Sequence, residues 1–209
     1  MIKFENVYIK YSKRFFSLAN INFELPDHKN AVIVSDDVNC GTVLLRLIAK
    51  IEKSYKGQIY IDNTELKKMN IKHMNICYLP IQPTFFKNKS VIFNLTYPLI
   101  IRKIPHKNAY QMVENILKKY NLSQYQNTKI RFLPNNVLYK IFFLRCHARP
   151  IDILLIDNIF ENIDEQDLLF YINCIKNIKT KNTIINCNKK IAELFNYHIL
   201  KIENSVLSK

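Results

Sequence analysis

Ala31-Val32-Ile33-Val34-Ser35-Asp36-Asp37-Val38-Asn39-Cys40-Gly41-Thr42 is the stretch on which the reading of this 209-residue chain turns. Four uninterrupted apolar residues, Ala31 to Val34, are the pattern of a strand buried on both faces. A polar segment follows, and from Thr42 to Ile51 the apolar residues Leu44, Leu45, Leu47, Ile48 and Ile51 recur at helical spacing. The segment therefore reads as strand, polar loop and helix. A second buried strand, Ile153-Leu154-Leu155-Ile156, ends in Asp157.

Working outward, Ile2, Phe4, Val7 and Ile9 alternate, Ile21 to Leu25 closes on a Pro26-Asp27 turn, and Gly57 to Ile61 repeats the pattern. An antiparallel β-region is expected there. The middle, roughly residues 84 to 145, reads as an inserted helical lobe. In it, Asn108 to Tyr120 sets Ala109, Met112, Val113, Ile116 and Leu117 on one helix face. A helix is expected from Asp164 to Ile178 and a strand at Thr183-Ile184-Ile185. Strands alternating with helices imply a parallel sheet, so the fold class is α/β in one domain spanning residues 1–209.

The composition is globular, with 48% hydrophobic residues. The five cysteines, Cys40, Cys77, Cys146, Cys174 and Cys187, are scattered without metal spacing, as expected of reduced, buried thiols in a cytosolic protein. No apolar run approaches the roughly 18 to 20 residues of a membrane span, and no signal peptide is visible at Met1-Ile2-Lys3-Phe4. The formal charge of +14 reads either as an anionic-partner surface or as a lysine-rich bias spread over solvated faces, and the latter is expected because lysines occur along the whole chain.

Strand–loop–helix followed much later by an apolar strand ending in aspartate is the layout of a P-loop NTPase, and the detail resembles the ABC ATPase family over essentially the whole chain. Phe4-Glu5-Asn6-Val7 with Tyr11 is similar to the family's first strand and its adenine-stacking aromatic. Leu44 to Ala49 resembles the helix after the phosphate loop, Tyr78-Leu79-Pro80 leads to the glutamine loop, and Asn162-Ile163-Asp164 resembles the D-loop. Asp157 stands at the Walker B aspartate. Ser90 to Ile101 is similar to a run in the branch that serves cell division and lipoprotein release.

The resemblance implies ATP and Mg²⁺ as cofactors, with Tyr11, Gly41, Thr42, Gln82 and Asp157 as the residual nucleotide-binding positions and Thr42 and Asp157 as the Mg²⁺ positions if nucleotide binds. The chain departs from the family where the chemistry lies. A phosphate loop needs glycines that let backbone N–H groups curl round phosphate and a lysine that neutralises it. Here three expected glycines are Ser35, Val38 and Cys40, and the expected lysine is Gly41, one of only two glycines in the chain. Asp36 and Asp37 face the region an anion would enter, where like charges about 4 Å apart repel by roughly 4 kcal/mol. The glutamine aligns with Ile81, one residue before Gln82, and the signature Ser-Gly-Gly is Pro134-Asn135-Asn136. Asn158 replaces the general base and Lys189 the switch histidine. Phosphoryl transfer relies almost wholly on positioning and charge stabilisation, so loss of hydrolysis is the expectation.

Three functions follow as alternatives. The first is a non-hydrolysing ABC subunit, structural or regulatory, peripheral to the inner face of the membrane. It would dock on a membrane-embedded permease-type subunit through Phe85, Phe86, Val91 and Phe93 and pair as a homo- or heterodimer. The second is a weak ATPase completed by a lysine from elsewhere or from a partner. The third is a basic nucleic-acid-binding module, which the sequence favours least because the aromatics fall in apolar runs and not among the lysines.

Overall fold

The computed structural model describes residues 1–10, 17–70, 74–147, 150–203 and 206–208. In chain order the elements are β1 (Ile2–Lys10), β2 (Ser17–Leu25), β3 (Ala31–Ser35), α1 (Val38–Ile48), β4 (Lys56–Ile61), β5 (Thr64–Glu65) and β6 (Ile76–Leu79). Then come α2 (Val91–Ile101), α3 (His106–Lys119), α4 (Asn135–Leu144), β7 (Ile153–Asp157) and α5 (Glu165–Lys176). The chain closes with β8 (Asn182–Asn186), α6 (Lys189–Ala192), β9 (His198–Glu203) and β10 (Val206–Ser208). Two compact units result: Met1–Ile81, Ile151–Glu161 and Thr180–Lys209 form the first, Gln82–Pro150 and Asn162–Lys179 the second. The lobe expected at 84–145 falls inside the second, which also contains α5.

In the first unit, an antiparallel sheet ordered β2-β1-β4-β5 and a six-stranded sheet ordered β10-β9-β3-β8-β7-β6 enclose one core. From β9 to β6 the second sheet is parallel, with β10 antiparallel at its edge. Leu44, Leu45, Leu47 and Ile48 of α1 are fully buried in a core they share with Ile33, Leu155 and Ile184. At β1 a register irregularity puts Asn6 at φ 48°, and Gly57 of β4 passes so close that a Cβ there would stand 2.2 Å from the Asn6 carbonyl oxygen. One of the chain's two glycines is thus fixed by a backbone crossing.

Elsewhere the chain does without glycine. α1, α2 and α3 each end in a Schellman pattern, in which a residue at positive φ turns the chain back. Lys50, Lys103 and Asn121 hold that position at φ 56°, 64° and 56°. The diagnostic six-to-one bonds are Ile51 N–H to Arg46 C=O, Ile104 N–H to Leu99 C=O and Leu122 N–H to Leu117 C=O.

The second unit packs α2, α3 and α4 around Val91, Leu95, Leu99, Val113, Leu117 and Ile141. Buried Asn94 clasps the segment ahead of α2. Its Oδ1 accepts from Phe86 N–H at 2.8 Å, while its Nδ2 donates to the carbonyls of Ser90 at 2.9 Å and Phe86 at 3.2 Å.

One expectation is corrected here. The helix read as Thr42–Ile51 runs from Val38 to Ile48, so most of the expected polar loop is its first turn. Asp37 sits in extended conformation as N-cap, its carboxylate accepting from Asn39 N–H at 3.0 Å, and no glycine precedes Gly41 to hold a loop open.

Candidate functional site

Parallel strands present their last residues at one edge of a sheet. Asp157 ends β7, Asn186 ends β8, and the two are directly paired. Tyr78 of β6 pairs with Leu155, two residues before Asp157 and on the same face. Thr42 of α1 completes the group.

These side chains converge on the Asp157 carboxylate. Oδ1 accepts from Thr42 Oγ1 at 2.8 Å, Asn186 Nδ2 at 2.9 Å and, more weakly, Asn158 Nδ2 at 3.5 Å. Oδ2 accepts from the Tyr78 hydroxyl at 2.7 Å. Asp157 is 1% exposed, and a buried carboxylate is tolerated only where its oxygens are satisfied. Here hydroxyls and amides satisfy it. Among the described residues no lysine or arginine forms an ion pair with it.

The turn before α1 is closed in the same way. Asp37 caps the helix, accepting from both Asn39 N–H and Asn39 Nδ2, the latter at 2.9 Å. The Asp37 carbonyl takes Cys40 N–H at 2.9 Å and the Ser35 hydroxyl at 2.6 Å. The Asn39 and Cys40 N–H groups at the start of α1 are therefore engaged by Asp37, whose carboxylate occupies the helix end. Gly41, at the expected lysine position, lies against the Asn186 carboxamide, and a Cβ added there would stand 2.1 Å from Asn186 Oδ1. The residues present do not fit a magnesium–triphosphate group held in the family's manner. A phosphate would meet Asp37, and a metal at Asp157 would have to displace Tyr78 or Asn186.

The other expected positions divide. Asn158 is buried beside Asp157 at φ 48°, a left-handed conformation that asparagine tolerates, with its N–H donating to Asn186 C=O at 2.9 Å. Lys189 is exposed in the first turn of α6, whose N-cap is Asn188, and it does not reach Asp157. Gln82 is exposed at the start of the second unit. Tyr11 lies outside the described residues. Pro134 precedes α4 as its N-cap residue without a side-chain bond, and Asn135 and Asn136 are exposed. Of the partner-facing set, Phe86 is exposed and Phe85 and Phe93 are half-buried. Val91 is corrected: it is fully buried in the core of the second unit and offers no surface.

Sequence reasoning missed Tyr78 and Asn186. A signal for Asn186 existed: it follows Ile184-Ile185 as Asp157 follows Leu155-Ile156, a polar residue closing an apolar run.

A family profile described as ABC transporter matches residues 18–161. The molybdate/tungstate import ATP-binding protein WtpC of Pyrococcus horikoshii is 23% identical over 98% of this chain and 55% of its own length. The protein of that name from Methanocaldococcus jannaschii is 28% identical over 88% of this chain and 57% of its own. The chain spans about half the length of the curated relatives it matches. Among solved structures, the dimeric bacterial ABC transporter cassette MJ0796 superposes with a TM-score of 0.85 at 17% identity, covering 100% of this chain and 97% of that one.

Proposed function

The chain belongs to the ABC transporter family, and we propose that it is a cassette subunit that fills its nucleotide site with its own side chains and does not hydrolyse ATP. The observation that carries this reading is Asp157, buried with the Asn186 carboxamide on one oxygen and the Tyr78 hydroxyl on the other. In such a subunit the architecture is kept for assembly. It acts as a structural or regulatory member of a membrane complex, held at the inner face of the membrane by a permease-type partner and paired with itself or with a second ABC subunit. Phe85, Phe86 and Phe93 are the partner-facing residues. The import function in the relatives' names supports a transport complex, and the Ser90–Ile101 run supports kinship with the cell-division and lipoprotein-release branch.

Calorimetry with Mg-ATP up to millimolar nucleotide, backed by thermal shift, tests the reading. No heat of binding and no ligand-dependent stabilisation are expected, and clear micromolar binding would overturn it.

The Thr42–Asp157 pair, intact at 2.8 Å, favours one second reading, a weak ATPase completed by a partner's lysine. Turnover seen only with that partner and abolished by Asp157→Ala is its signature. Nucleic-acid binding has no comparable support at this site.

A further inference from the structure

The positive charge of the chain is not spread evenly. The second unit carries fourteen Lys and Arg against four Asp and Glu, a formal +10, while the larger first unit carries seventeen against thirteen, +4. The cause is a lack of carboxylates more than a surplus of lysine. Between Gln82 and Pro150 the only acid is Glu114. A uniform lysine-rich bias does not produce that segregation.

Folding also concentrates part of this charge. The segments on either side of the Ser90–Lys129 bridge lie side by side, with Ile130 N–H donating to Lys89 C=O and Arg131 N–H to Lys87 C=O, each at 3.1 Å. Lys87, Lys89, Lys129 and Arg131 are all exposed, and none has a carboxylate partner among the described residues. Aromatic rings stand among them. Lys89 Nζ lies over the Phe93 ring at 5.4 Å and Arg131 over the Phe132 ring at 4.6 Å. Phe86, Phe93 and Tyr97 touch one another edge-on or stacked. Phe132 is 66% exposed. The separation of aromatics from lysines read in the sequence does not hold in three dimensions.

We propose that this corner of the helical unit is a docking surface for an anionic lipid bilayer, its cations engaging headgroup phosphates while Phe132 enters the interfacial layer. An exposed apolar ring is buried favourably at the headgroup–acyl boundary, and a cation near an anionic leaflet contributes enough to change binding roughly fivefold. The proposal goes beyond the permease docking above and does not depend on it, because lipid vesicles carry no protein.

The test is co-sedimentation of the full chain with phosphatidylcholine vesicles, with and without phosphatidylserine, at physiological ionic strength. Binding is expected only to the anionic vesicles. Lys87→Gln, Lys89→Gln, Lys129→Gln and Arg131→Gln together should weaken it roughly several hundredfold, and Phe132→Ala alone roughly fivefold at unchanged charge. Lys107→Gln, Lys118→Gln and Lys119→Gln on α3, also exposed, should change it far less. Equal binding to neutral vesicles, equal losses in the two charge variants, or no vesicle binding would each overturn the proposal. So would tighter, salt-sensitive binding of an RNA oligonucleotide at the same residues, which would identify nucleic acid as the partner.

Discussion

Tyr78→Phe removes one oxygen atom and separates a structural aspartate from one kept in reserve for a metal. The lost hydroxyl is the donor to Asp157 Oδ2, at 2.7 Å, while Oδ1 keeps Thr42 and Asn186. A hydrogen bond to a charged group contributes about 1.5–3 kcal/mol. Tyr78 is half-buried, so water can reach part of the site and the lower end applies, about 1.5–2 kcal/mol. For a chain of this size that corresponds to a fall in Tm of roughly 3–8 °C. The assay is thermal unfolding followed by circular dichroism, with Tyr60→Phe as control. The Tyr60 hydroxyl donates to exposed Gln58, and its loss should stay within about 0.5 kcal/mol. Equal melting of Tyr78→Phe and wild type would refute the claim that the carboxylate is closed by the protein. A variant that loses stability and then recovers it with Mg-ATP would refute the claim that the site has been given up.

Gly41→Lys alone should destabilise the fold and restore no nucleotide binding, because its Cβ would stand 2.1 Å from Asn186 Oδ1; adding Asn186→Ala should recover most of the lost stability in urea titration. Lys103→Gly relieves a left-handed lysine at φ 64° and should stabilise by about 0.5–1 kcal/mol, checked by the same titration. Asn94→Ala should cost about 2–4 kcal/mol and release the Phe86 amide to rapid hydrogen exchange, since one buried side chain holds several backbone groups. Burial pushes the Cys174 and Cys187 thiols up from 9.0 to about 11 and about 12. Their contribution to stability is therefore complete below pH 9 and lost as pH rises through the folded values, so the urea midpoint should fall from pH 9 upward. Burial likewise depresses His147 below 6.5; its contribution is present above that value and lost on acidification, which His147→Gln should abolish.

The frame of the fold was legible because apolar runs carry little ambiguity. Ala31–Val34 and Ile153–Ile156 read as strands from their short apolar runs, and they became neighbours of β8 in one parallel sheet. The start of α1 was not legible, because Asp37-Val38-Asn39 spells a solvated turn and a capped helix equally well. α2 was hidden by Pro98 within it and by its nearly uniform apolarity, which shows no face. In the site, the aspartate could be read from its own strand. Its closure could not, since Tyr78 and Thr42 reach it across 79 and 115 residues of sequence. The charge segregation was hidden for a different reason: it consists of missing carboxylates, and a run from Gln82 to Pro150 with Glu114 as its one acid is masked by lysines that occur along the whole chain.

The capping of α1 has a consequence in terms of mass action. Asp37 is in effect an anion tethered to the helix end it occupies, and a tethered ligand acts at an effective concentration of millimolar or above. Free phosphate at cellular levels competes on unequal terms with a carboxylate that never diffuses away. On the proposed reading the first turn of this cassette is held by its own chain, and its state is expected not to follow the supply of nucleotide around it.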